Sequence, residues 1–346
     1  MKKIVAIVCF LFSLSSFAQS TLTMPEASPK ASVTQRIGLT DITVNYHSPA
    51  VKERTVWGGL VPYNKIWRAG ANENTIISFT HDVSINGNPL PAGTYGLHMI
   101  PTEKNWTIIF SKNYTSWGSY FYKQEEDALR VEVTPKQHQH TEWLTYTFLD
   151  KSANSATLSL LWEKLNIPIT IDVDVNSVVI NNIKNELRSV PGFTWQGYYE
   201  AADYCYHNNI ETDQALIWVE RANSFSPNNF SVLKLKANLL EVKGEKEEAE
   251  KVSNAAVEFA TEDELNSYGY ELITADKLDK AIDIFKLNVK RHPKSWNAYD
   301  SYGEALAKKG NTKEAIKAYS SALKNTPPDT QMARIQETIK KLQEAK

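Results

Sequence analysis

Hydrophobic residues recur along this chain with two different periods. Up to about Val175, apolar and polar residues alternate: Ile167, Ile169, Ile171, Val173 and Val175 interleave with Pro168, Thr170, Asp172 and Asp174. Leu158, Leu160 and Trp162 repeat the pattern, as do Leu144, Tyr146 and Phe148. A period of two places one set of side chains on one face of a strand, so each segment predicts a half-buried strand. Further strands are predicted over residues 42–47, 75–80, 94–100, 106–110 and 130–134, with turns at Asn86-Gly87 and Pro91-Ala92-Gly93. Roughly nine short strands with no helical stretch among them predict an antiparallel β-sandwich over residues 30–175.

Residues 176–192 read as a connecting helix and linker, and beyond them the period becomes helical. Ala215, Ala249, Ala281 and Ala315 follow one another at 34, 32 and 34 residues, and Ala222, Ala256, Asn288 and Ala322 keep the same spacing. Pro227, Pro293 and Pro327 close three of the four units. Small residues at fixed offsets let paired helices approach closely, and the prolines stop the second helix of each pair. The array resembles the tetratricopeptide repeat, with four units over residues 193–329 and a polar capping helix over 330–346. The second unit departs from the pattern: Thr261 stands where Pro is expected, and two residues are missing before the third. An irregularity is therefore expected between units two and three. The expected fold class is α+β multidomain, an antiparallel β-sandwich followed by an all-α tetratricopeptide-type solenoid.

The first residues differ from both halves. Lys2 and Lys3, the apolar run 4–14 and the small residues before Ala18 have the layout of a secretory signal peptide, residues 1–18, so the mature chain is expected to be periplasmic or secreted. The run is too short for a permanent membrane span, and the sequence offers no other candidate. Cleavage would remove Cys9 and leave Cys205 alone, so no intramolecular disulfide is expected. It would also take the formal charge from −2 to −4 (−2 minus 2), which argues against nucleic acid as a partner.

One stretch of the β half is not ordinary strand. Residues 48–75 read SPAVKERTVWGGLVPYNKIWRAGANENT, gathering Arg54, Trp57, Trp67, Arg68, Asn72 and Glu73. Together with INGNPLPAGTYGLHMIP (85–101), WTIIFSK (106–112) and LLWEKLNIPI (160–169), this stretch resembles the bacterial domain-of-unknown-function family 2911 over about residues 30–175. The resemblance implies kinship and no activity. Asn64 stands where that family often has Gly. A guanidinium beside Trp faces can stack on a planar ligand or fork onto a carboxylate or phosphate. Arg54, Trp57, Trp67, Arg68, Asn72, Glu73 and the nearby His98 are therefore the candidate site for a small polar ligand. The competing expectation is structural: Trp57, Trp67 and Pro62 plug one end of the sandwich, and an internal Arg68–Glu73 ion pair pins the loop.

Other chemistry is thin. His138, His140 and Glu142 would share a strand face, but no distant further ligand is evident, so no metal and no cofactor are expected. There is no nucleophile elbow, phosphate loop or dinucleotide fingerprint, and Cys205 and His207 do not share a helix face. In the repeats, Lys234 and Asn238 match two positions of a carboxylate clamp whose others hold Ser267, Asn297 and Ser301. Tyr204, His207, Lys234, Asn238 and Glu241 are the candidate lining of a groove for a protein or peptide partner. The functional expectation is an exported, non-enzymatic interaction protein, and the rival is an envelope hydrolase or carbohydrate-active enzyme built on the Trp67–Glu73 loop.

Overall fold

The computed structural model describes residues 24–344, and the expected signal peptide with Cys9 lies outside them. The chain divides into two compact units, Met1–Val179 and Ile180–Lys346.

In the first unit, ten antiparallel strands among the described residues form two sheets. They are β1 (Lys30–Ile37), β2 (Thr40–His47), β3 (Ile76–Phe79), β4 (Val83–Ile85), β5 (Asn88–Leu90), β6 (Gly93–Ile100), β7 (Trp106–Ser111), β8 (Asp127–Val133), β9 (Lys136–Leu149) and β10 (Ser155–Asp172). One sheet runs in the order β1-β2-β3-β6-β7-β8 and the other β5-β4-β10-β9. Ile42, Val44, Ile77, Leu97 and Ile108 from the first sheet and Leu144, Leu158, Leu160, Ile169 and Ile171 from the second are fully buried in a single core. Each such side chain contributes about 1.5–3 kcal/mol of burial, which is why the alternating pattern dictates the sandwich. Asn86 and Gly87, both at positive φ (46° and 80°), make the tight β4–β5 hairpin. Asn64 takes φ 58°, the left-handed conformation a glycine would also supply.

The second unit is built from helix pairs: α2 (Trp195–Asn208) with α3 (Thr212–Phe225), α4 (Phe230–Lys243) with α5 (Lys246–Phe259), α6 (Glu262–Thr274) with α7 (Leu278–Arg291), and α8 (Trp296–Lys308) with α9 (Thr312–Lys324). Helix α10 (Asp329–Glu344) follows as the cap, and α1 (Val175–Glu186) precedes the array. Ala215, Ala222, Ala281, Ala315 and Ala322 are fully buried where paired helices touch. A Cβ on Gly269 would lie 2.4 Å from the Phe285 ring, so only glycine permits that α6–α7 approach. Asn288 replaces alanine in the third unit, and its amide donates to Glu262 O at 3.0 Å.

The irregularity falls at the α5–α6 turn. Only residues 260–261 separate these helices, whereas 226–229 and 292–295 separate α3 from α4 and α7 from α8. Thr261 compensates with a capping box: its hydroxyl accepts from Glu264 N at 3.3 Å, and the Glu264 carboxylate accepts from Thr261 N at 2.9 Å. Among the described residues, no helix is long and apolar enough to cross a membrane.

Candidate functional site

Two regions bring chemistry-bearing side chains together, one in each unit.

In the helical unit, α2, α4 and α6 line a cleft of about 510 Å³ with Asp203, Tyr206, His207, Lys234, Asn238 and Glu271 on its walls. Burial lowers the Lys234 pKa; its ammonium pairs with Glu271 and lies 5.1 Å from the centre of the Tyr268 ring. His207 pairs with Asp203 at 3.3 Å. A second cleft of about 610 Å³ opens where α4 and α5 face α6 and α7, and Lys234, Asn238 and Glu241 line it too. Polar contacts span it: Ser253 Oγ to Tyr268 OH at 3.1 Å, Lys280 to Glu250 at 3.3 Å and Lys277 to Glu241 at 3.7 Å. Tyr204 lines neither cleft; its ring packs against the apolar cluster of α2 and α3, and Tyr206 is the tyrosine that faces both. Cys205 is buried in that cluster, and burial raises its thiol pKa to about 11, which keeps it protonated and unreactive.

In the β unit, the tryptophans of the 48–75 loop are packed inward. The Trp57 ring centre lies 4.7 Å from that of Trp106 and 5.5 Å from that of Trp162, while Trp67 stacks on Trp162 at 6.0 Å. Trp106 and Trp162 are fully buried strand residues, so the loop closes the core with Trp57, Trp67, Val56 and Val61. Pro62, expected in this plug, is exposed instead. Arg54 is spent on the backbone, donating to Val51 O at 3.0 Å and Ala50 O at 2.6 Å.

The expected Arg68–Glu73 ion pair does not form. Arg68 runs toward the loop after β7, where a Cβ on Gly118 would lie 3.5 Å from Arg68 Cδ, and its Nε is buried without a partner. The next residue of that loop, Ser119, meets His98 Nδ1 at 3.1 Å. His98 is buried, and desolvation lowers its pKa to about 4 against the opposing charge of Asp127, so the ring is neutral at physiological pH. The loop also exposes Trp117, Tyr120 and Phe121, with Trp117 stacked on Tyr120 at 5.7 Å.

Glu73 turns the other way, to His47 at the end of β2. His47 Nε2 lies 3.1 Å from Glu73 Oε2 and 3.1 Å from Glu26 Oε2, and Asn72 Nδ2 donates to Glu26 Oε2 at 2.9 Å. Thus Arg68, Glu73 and His98 do not converge on one pocket, whereas Asn72 and Glu73 do share a constellation. Its other members, Glu26 and His47, carry no local sequence signal. His138 and His140 lie on β9, with His140 Nε2 3.3 Å from Glu142, and among the described residues they join no group of three potential metal ligands.

Residues 28–171 match the sequence model of a family described as "Protein of unknown function (DUF2911)". The helical half resembles solved repeat proteins. YrrB, described as a TPR protein with an unusual peptide-binding site, is 18% identical, with 43% of this chain and 77% of YrrB covered at a TM-score of 0.29. A MamA fragment from Desulfovibrio magneticus is 15% identical over 44% of this chain and 96% of its own, at 0.27. Pseudomonas aeruginosa pilF is 14% identical over 44% and 71%, at 0.29. No curated protein matches the chain.

Proposed function

We propose that this protein is an exported, non-enzymatic interaction protein whose repeats hold a segment of another polypeptide in the cleft of α2, α4 and α6. The observation that carries the reading is the make-up of that cleft. Tyr206 on α2 and Asn238 on α4 offer backbone and side-chain contacts, while Asp203, Asp263, Glu264 and Glu271 line the same cleft with Lys234 as its one ammonium. Four carboxylates against one ammonium select a segment that carries Lys or Arg, and they make capture sensitive to salt. Helical arrays of this kind serve as concave partner surfaces, which is support by fold alone. The leader-like residues 1–18 support export. In the β unit, the exposed Trp117–Tyr120 stack beside Arg68 is the surface for a second partner or a small polar ligand.

The test is a cross-linking pull-down from the native cell envelope with wild-type protein and a Tyr206→Ala, Lys234→Ala, Asn238→Ala variant. A partner retained by the wild type, released at high salt and absent from the groove variant is expected. Equal recovery by both baits, or no specific partner for either, overturns the reading.

A further inference from the structure

The W-R-x-G-A-N-E loop does more than close the sandwich. Gly70 has no side chain, and a Cβ there would lie 2.6 Å from Thr75 Oγ1 and 3.2 Å from His47 O. The loop therefore lies directly against the end of β2. Ala69 O is held by the hydroxyls of Thr75 (3.1 Å) and Tyr146 (2.9 Å), and Asn72 at φ 55° turns the chain so that Glu73 points back at His47. From the other side, Ser48 N donates to Pro29 O at 2.9 Å and Asn72 Nδ2 approaches Ser28 O at 3.3 Å, which brings Glu26 to the same point.

We infer that Glu26, His47 and Glu73 form a binding site for a divalent transition-metal ion of the zinc class, with Asn72 orienting Glu26. The three ligand atoms lie within 4.8 Å of one another, and both carboxylate oxygens stand 3.1 Å from His47 Nε2. Bonds of about 2.0–2.2 Å in a tetrahedron separate ligand atoms by about 3.3–3.6 Å, so both 3.1 Å spacings from His47 Nε2 fit with little movement. The proton inventory points the same way. Nε2 carries at most one hydrogen, and two acceptor-only carboxylates cannot both be served well by it. A dipositive ion satisfies all three atoms and offsets the mutual repulsion of Glu26 and Glu73.

One nitrogen and two oxygens suit zinc-class ions better than Ca²⁺ or Mg²⁺, which prefer all-oxygen shells. His47 is 6% exposed, whereas the carboxylates of Glu26 and Glu73 are about half exposed, which leaves the fourth position open to solvent. On binding, the ring proton resides on Nδ1, which is buried without a protein acceptor. Lacking that outer support, the site binds about 10–100-fold more weakly than one whose histidine is held by a protein acceptor.

The experiment uses the full exported chain, stripped with chelator and titrated with Zn²⁺ by calorimetry and with Co²⁺ by visible absorption. Glu73→Gln and Glu26→Gln remove one ligand each from half-exposed positions, and circular dichroism confirms that both variants remain folded. His138→Ala with His140→Ala controls for adventitious binding at the exposed β9 histidines. Expected are one ion per chain, the Co²⁺ spectrum of a low-coordinate N/O site, and affinity at least about tenfold weaker in each Glu variant but unchanged in the control. No stoichiometric binding, binding that survives either Glu variant, or binding lost in the β9 control overturns the inference.

Discussion

Trp67 and Met99 exchange both of their backbone hydrogen bonds at 2.8 Å, so the long loop between β2 and β3 is stitched to β6 at its middle. That bridge holds the Trp67 ring against Trp57, Trp106 and Trp162 and sets the direction of everything that follows: Arg68 to one side, Asn72 and Glu73 to the other. Trp67→Ala should cost the β unit about 3 kcal/mol, measured by urea denaturation, because the ring is part of the core and the neighbours cannot collapse into its space. A loss below about 1 kcal/mol would mean the loop is not part of the core.

Gly269 separates helix propensity from packing. Alanine is preferred over glycine inside a helix by about 1 kcal/mol, so propensity alone predicts that Gly269→Ala stabilises the repeats. The Phe285 ring stands 2.4 Å from the new Cβ, so overpacking wins and the helical unit should be destabilised by about 1–3 kcal/mol. Thermal unfolding followed at the helical circular dichroism signal gives the sign directly.

His98 makes stability depend on pH. Its folded pKa is about 4 against a reference of 6.5. Between those values the unfolded chain binds a proton that the folded chain does not, so stability is complete above about pH 6.5 and falls as pH drops toward 4. The swing is on the order of 3 kcal/mol. Denaturation midpoints of wild type and His98→Asn across pH 4–7 should converge at the acid end. Parallel curves would show that the ring takes up its proton equally in the folded and unfolded chain, with no shift on folding.

The sequence reveals some of the candidate sites and conceals others for identifiable reasons. Asn72 and Glu73 stand out because they lie in a loop rich in unusual residues, but Glu26 and His47 sit in ordinary-looking segments and are joined to them only by the β1–β2 pairing and the missing side chain of Gly70. Arg68 and Glu73 look like partners because they are near in sequence. The turn through Ala69 and Asn72, both at positive φ, sends them apart. Tyr204 and Tyr206 differ by two helical positions, about 200° around the axis, and nothing in their composition says which one faces the groove.

What the chain alone determined is periodic. Alternation made the sandwich, a repeat of about 34 residues made the helix pairs, and the two residues missing after the second unit shortened one turn, because hydrophobic burial and backbone hydrogen bonding respond to local spacing. Which polar groups meet was decided only by the tertiary structure. Glu26, His47 and Glu73 come together across a sheet edge and a loop, and Lys234 meets Glu271 across repeats. Such contacts depend on the relative placement of distant segments, fixed by the summed packing of the whole core, and no local pattern encodes them.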